Sequence, residues 1–399
     1  MTEPLIELGD TRDEPQPRRR PPPHRAPGGW VRLLSVLLAC ALLAGSAPPA
    51  VPATVAGPPV PPGGSLLVTD ATLLVVDPAT APPTMSAYDV TAPDGPPRWR
   101  HRVAPAGGWV AEAAGDLLLI GERDALGRVL TTTARSARTG DARWRRADRV
   151  HASDGGAVGV TESRSVLDPG RRVEGAVRGV DLADGRNRWT MPIPSTAVVQ
   201  LPPGTGRLLV VHDSGVVRLH DLRDGAPVAQ GRLPPADYAP DNPQVIGGRL
   251  VLRHPTPGGP VVAGYDLPGL TRRWQAPVGA GEVTVSGCDG LVCVHDQQGR
   301  RALLPGTGAP AWTWPAGGMW RAVPPARPDH PGPALLLRPA ADGDRRLVAV
   351  ADRSGVRVGG VLPAGATGCR AVPAGLVCRA PGGRVALWSP TSWSAPTRR

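Results

Sequence analysis

Lysine and phenylalanine are missing altogether from this chain of 399 residues, and asparagine is confined to Asn187 and Asn242. A GC-rich codon bias removes lysine and phenylalanine together. The basic side chains are therefore all arginine, and the net charge of +11 carries little functional information by itself. The arginines form no clustered patch beside a recognition motif, so nucleic acid is not an expected partner. No Gly-x-Ser-x-Gly string occurs, which excludes a nucleophile elbow. No glycine-rich loop opens a helix, so phosphate-cradling motifs lack their context. Helical signals are scarce beyond residue 47.

What is abundant is glycine (51) and proline (50). Disorder does not follow, because 41% of the residues are hydrophobic and the glycines and prolines punctuate short apolar runs. Leu208-Leu209-Val210-Val211 and Leu335-Leu336-Leu337 sit between Gly, Pro and Asp clusters, as strands do.

The N-terminal part has a different character. Residues 1–29 are polar and rich in Pro and Arg, a composition that buries no core, and are expected to be a disordered cytoplasmic tail. From Leu33 to Thr69 there is no charged residue. Residues 30–47 are expected to form a single transmembrane anchor rather than a cleaved signal, because the segment before them is long and contains acids. Arg32 just ahead of the apolar run places the N-terminus inside the cell and the rest outside the cytoplasm. Cys40 reads as a residue of that helix. Residues 48–63 read as a Pro/Ala-rich spacer, and 64–399 as the folded domain.

That domain repeats. Trp99, Trp144 and Trp189 are each preceded four residues earlier by Gly95, Gly140 and Gly185. An Asp-Gly or Thr-Gly corner supplies a hairpin turn, and the Trp on the returning strand packs between sheets. The pattern continues through Gly225 (with Ala229 where a Trp would stand), Leu270 with Trp274, Gly308 with Trp312, Gly355, and Ser392. The spacing averages about 42 residues, with about four short strands per unit, which is the period of a propeller blade.

The string Ala-x-Asp-x-x-Thr-Gly-x-x-x-Trp resembles the tryptophan-docking motif of pyrroloquinoline quinone (PQQ)-like β-propellers. Ala134…Thr139-Gly140…Trp144 and Ala302…Thr307-Gly308…Trp312 are its best copies. The resemblance spans about residues 64–396 and implies an all-β propeller of eight blades, or alternatively seven. It also implies that Trp99, Trp144, Trp189, Trp274 and Trp312 pack one blade against the next. Two branches of the superfamily bear on function: quinone-dependent dehydrogenases, and non-enzymatic propellers such as the outer-membrane-protein assembly factor. The enzymatic branch implies a carboxylate base, acidic and amide ligands for Ca²⁺ and often adjacent cysteines. This chain has no Cys-Cys pair and almost no Asn, and no residue stands out for those roles.

Four cysteines lie beyond the anchor: Cys288, Cys293, Cys369 and Cys378. The strings Gly287-Cys288…Leu291-Val292-Cys293 and Gly368-Cys369…Leu376-Val377-Cys378 put one Cys on each strand of a hairpin. Two disulfides outside the cytoplasm are the natural reading, 288–293 with 369–378 being one of three connectivities. The eight histidines are scattered. His212-Asp213 and His295-Asp296 recur at one corner of the repeat, which a surface turn explains without a metal. The expectation is therefore a membrane-anchored, extracytoplasmic propeller that binds a protein or cell-envelope partner. It is not expected to be an enzyme, and no cofactor or metal is expected; the alternative is a PQQ-dependent dehydrogenase-like enzyme.

Overall fold

The computed structural model describes residues 54–389, apart from short stretches at 154–155, 165–173, 195, 203, 237–241, 298, 316–319 and 327–331. The expected tail, the anchor with Cys40, and the eighth repeat's Ser392 lie outside the described residues. Among those described, no helix is long and apolar enough to cross a membrane.

The described chain is all β. It forms eight antiparallel sheets, seven with four strands and one with three. Each is a blade, and blades follow one another along the chain: 65–102, 108–146, 158–194, 198–232, 244–277, 284–315, 321–363 and 367–388. Eight blades is thus the count, not seven.

The apolar runs become middle strands. Leu208, Leu209, Val210 and Val211 are all buried, as are Leu73 to Val76. A blade packed on both sides by its neighbours must be apolar on both faces, so its inner strands read as continuous hydrophobic runs, without the polar–apolar alternation of a one-sided sheet. The outer strands alternate instead. Arg272–Pro277 buries Trp274 and leaves Arg272, Arg273 and Gln275 in solvent.

Two blades depart from the common plan. In blade 3 the innermost position holds only an isolated bridge, in which His151 and Val160 exchange backbone hydrogen bonds of 2.7 and 2.9 Å. In blade 8 the fourth strand comes from the other end of the chain. Thr54–Pro59 pairs antiparallel with Arg384–Trp388, Thr54 opposite Trp388 and Ala56 opposite Ala386. The ring is therefore closed by joining its two ends in one sheet. This corrects two expectations: residues 54–59 are a strand rather than spacer, and the domain begins before residue 64. This strand takes the outer position of blade 8. Its sequence, Thr-Val-Ala-Gly-Pro-Pro, is tolerated because an outermost strand can carry proline, which has no N–H to donate.

Candidate functional site: docking joints and the central channel

The repeated corner is built the same way in five blades. The third strand ends, and the fifth residue of the turn returns its N–H to the carbonyl at its start. Gly140 donates to Ser136, Gly185 to Asp181, Gly225 to Asp221, Leu270 to Asp266 and Gly308 to Leu304, at 2.8–2.9 Å. All five closing residues have positive φ, between 53° and 77°.

The tryptophan of the preceding blade docks onto this corner. Its indole N–H donates to a turn carbonyl of the next blade: Trp99 to Ala137 (3.1 Å), Trp144 to Leu182 (2.8 Å), Trp189 to Leu222 (2.9 Å) and Trp274 to Pro305 (2.7 Å). Trp312 makes the same bond to Asp352 at 2.7 Å. The ring lies flat on the glycine; a Cβ at Gly185 would sit 2.8 Å from the Trp144 ring, and one at Gly308 2.6 Å from that of Trp274. So the five repeated tryptophans are joints between blades, each satisfying its one polar atom, with the rings of Trp99, Trp144 and Trp274 buried and those of Trp189 and Trp312 half-buried. An arginine just before the Trp often ties the fourth strand to the corner's Asp, as Arg188 does to Asp181 at 2.7 Å. Arg98 with Asp89 and Arg273 with Asp266 repeat the pair.

Both disulfides lie within single blades. Cys288–Cys293 and Cys369–Cys378 link first to second strands of blades 6 and 8, with Cα atoms 5.8 and 4.1 Å apart. The two His-Asp corners diverge. His212 lies 3.6 Å from Asp213, whereas Asp296 turns inward to accept the Gly279 N–H (2.9 Å) and meet Arg301 (3.1 Å).

Inner residues of seven of the eight blades, all but blade 6, line a central channel of about 650 Å³. Its most elaborate feature joins blades 2 and 3. Glu112, on the first strand of blade 2, meets Arg149 (3.3 Å) and His151 Nδ1 (3.2 Å) through one oxygen, and accepts the Ala152 N–H (3.0 Å) on the other. Burial pushes the Glu112 carboxyl up, but the His151 contact, the Ala152 amide and Arg149 outweigh it and hold the group below the ordinary carboxylate range. This cluster anchors the segment that replaces an inner strand in blade 3. Asp70, Glu162 and Arg370 also line the channel. Among the described residues, no three His, Cys, Asp or Glu side chains converge as metal ligands would. Nothing in the sequence pointed to Glu112, Arg149 and His151 as a group. Glu112 lies nearly a full repeat before Arg149 and His151, and the ring alone brings it to them.

No family model matches the chain, and no curated protein matches it. Solved structures do share its fold. BamB from Moraxella catarrhalis superposes with a TM-score of 0.51 at 16% identity, over 85% of this chain and 98% of that one. The computationally designed Ika8 protein superposes with a TM-score of 0.51 at 14% identity, over 81% and 95%. In all, 1096 solved chains match, so the fold by itself selects no activity.

Proposed function

We propose that this chain is a propeller of the PQQ-like, tryptophan-docking type, held at the cell membrane by residues 30–47 with its N-terminus in the cytoplasm. The ring lies outside the cytoplasm and acts as a non-catalytic platform for a protein or cell-envelope partner. The apolar run behind Arg32 supports the anchor. Two closed disulfides support an oxidising compartment. The BamB-like fold supports the non-enzymatic branch as an analogy.

The observation that carries the reading is the state of Glu112. Both its oxygens are engaged by the channel wall, so it acts as a strut between blades 2 and 3 and is poorly placed to take a proton from a substrate. A second reading, a quinoprotein-like enzyme, draws on one fact: Asp70, Glu112 and Glu162 all line the channel. Titrating the detergent-solubilised full chain with PQQ and Ca²⁺ separates the two. The platform reading expects neither an absorbance change nor a rise in melting temperature. Saturable micromolar binding would overturn it.

A further inference from the structure

The hairpin between the second and third strands of blade 2 is unlike its counterparts. Leu117–Arg123 and Val129–Ser136 pair with a register shift: Thr131 faces Glu122 and Val129 faces Arg123, leaving Leu130 as the extra residue. The other seven second-to-third pairings run without a shift among the described residues. A bulge re-aims a side chain, and here it turns Leu130 out to 52% exposure. Leu126, at the tip, is 79% exposed; no other large hydrophobic among the described residues is as open as these two.

The tip is also stiff. The Asp124 carboxylate accepts from the Leu126 N–H (2.9 Å), the Arg128 N–H (2.8 Å) and the Arg128 guanidinium (2.8 Å). Asp124 N–H donates to the Arg128 carbonyl (2.9 Å), and Gly127 N–H to that of Asp124 (3.0 Å). The chain entering the blade lies flush against the base, where a Cβ on Gly107 would come 2.7 Å from the Asp124 carbonyl. Two of the three arginines beside the leucines are paired locally: Arg128 with Asp124, and Arg145 with Glu122 at 2.7 Å, where Glu122 also accepts the Thr131 hydroxyl at 2.7 Å; the third, Arg123, has a buried Nε without a partner.

We propose that this hairpin is a docking finger, whose Leu126 and Leu130 enter an uncharged apolar pocket on a partner protein. The inference rests on the binding-platform reading. A lipid surface would be met by free, exposed cations around the apolar tip, but Arg128 and Arg145 are both engaged by acids and Arg123 is half-buried with its Nε out of solvent. A preformed tip loses little freedom on binding, so two leucines can act as anchors.

The test uses the full-length chain in its native membrane. A photo-crosslinking benzoyl-phenylalanine replaces Leu126 or, as a control, Leu304, which is 43% exposed on blade 6. One protein is expected to crosslink from position 126 and not from 304. That protein, purified, should bind the wild-type chain, with its Kd raised at least about ten-fold by Leu126→Ser or Leu130→Ser and left unchanged by Leu304→Ser. Adducts with lipid or with a second copy, the same adduct from both positions, or no adduct from 126 would each overturn the finger. If the partner binds but the leucine variants shift Kd less than about three-fold, the finger falls while the platform reading stands. If no protein is captured from either position, the finger falls, while the platform reading falls only to saturable PQQ binding.

Discussion

Leu270 occupies the left-handed position that glycine holds in the neighbouring joints, and it does so where the facing blade carries Ala229 in place of a tryptophan. Its φ is 53°, and its side chain lies against Gly231 in the same core cluster as Ala229. A branched side chain in this conformation costs about 1–2 kcal/mol. Burying it returns about 1.5–3 kcal/mol. The large residue has moved across the joint, from the docking strand to the corner.

The swap makes a double-mutant prediction. Ala229→Trp alone should destabilise by about 1–3 kcal/mol, because Leu270 fills the space the indole needs. Leu270→Gly alone leaves a cavity. Together they rebuild the common joint, so their combined effect should fall below the sum of the single effects by at least about 1 kcal/mol in denaturant unfolding.

Gly185 and Gly127 both have positive φ, 76° and 79°. A Cβ at Gly127 meets nothing within 4 Å, whereas one at Gly185 meets the Trp144 ring. Gly127→Ala should therefore cost only the backbone term, about 1–2 kcal/mol. Gly185→Ala should cost more, by roughly 1–3 kcal/mol, since the indole must also move off its corner. Thermal unfolding of the two variants side by side checks this; equal losses would refute the stacked joint.

The Glu112 carboxyl is held below its ordinary value of 4.5. The unfolded chain therefore takes up this proton more readily than the folded one. The stability Glu112 contributes is complete above about pH 4.5 and drains away as pH falls through its lower folded value. Glu112→Gln should lower stability at pH 7 and flatten the acid limb of the profile. Chemical unfolding at steps from pH 7 to 3 measures both; parallel profiles for the two proteins would count against it.

Each disulfide closes a small loop, five and nine residues in sequence separation. Paired Cys→Ser replacement at 288/293 or 369/378 should lower stability by about 2–3 kcal/mol in each case. The blades involved are otherwise fully stranded, so far-ultraviolet circular dichroism should stay unchanged below the lowered melting point.

A chain beginning at residue 64 lacks the outer strand of blade 8. It should melt well below one beginning at residue 49, by 10 °C or more on an order-of-magnitude view of a lost strand. Adding the peptide of residues 54–59 in excess should recover part of the difference.

The joints were legible because their chemistry is local. A glycine four residues before a tryptophan is one turn and one strand, and it repeats as Gly140-Trp144 and Gly185-Trp189. The closing strand was not legible. Thr54–Pro59 reads as spacer by composition, and only its partner, more than three hundred residues away, makes it a strand. Glu112 and His151 were hidden for a similar reason, since two blades must dock before they meet. Leu270 could be placed at a corner by its spacing, but its reason lies across the joint in Ala229. The leucine finger is not legible in the sequence, because a bulge, which no periodicity announces, turns Leu130 outward.

The seam at blade 8 also sets an order of events. Roughly 330 residues of synthesis separate Thr54 from its partner Trp388, so at about 5–20 residues per second the strand waits about 15–70 s on the ribosome before its place exists. An unpaired strand is an invitation to pair wrongly. Pro58 and Pro59 withhold two ladder donors from any such encounter. Nascent chains of this protein thus carry a latch that resists sticking while it remains open.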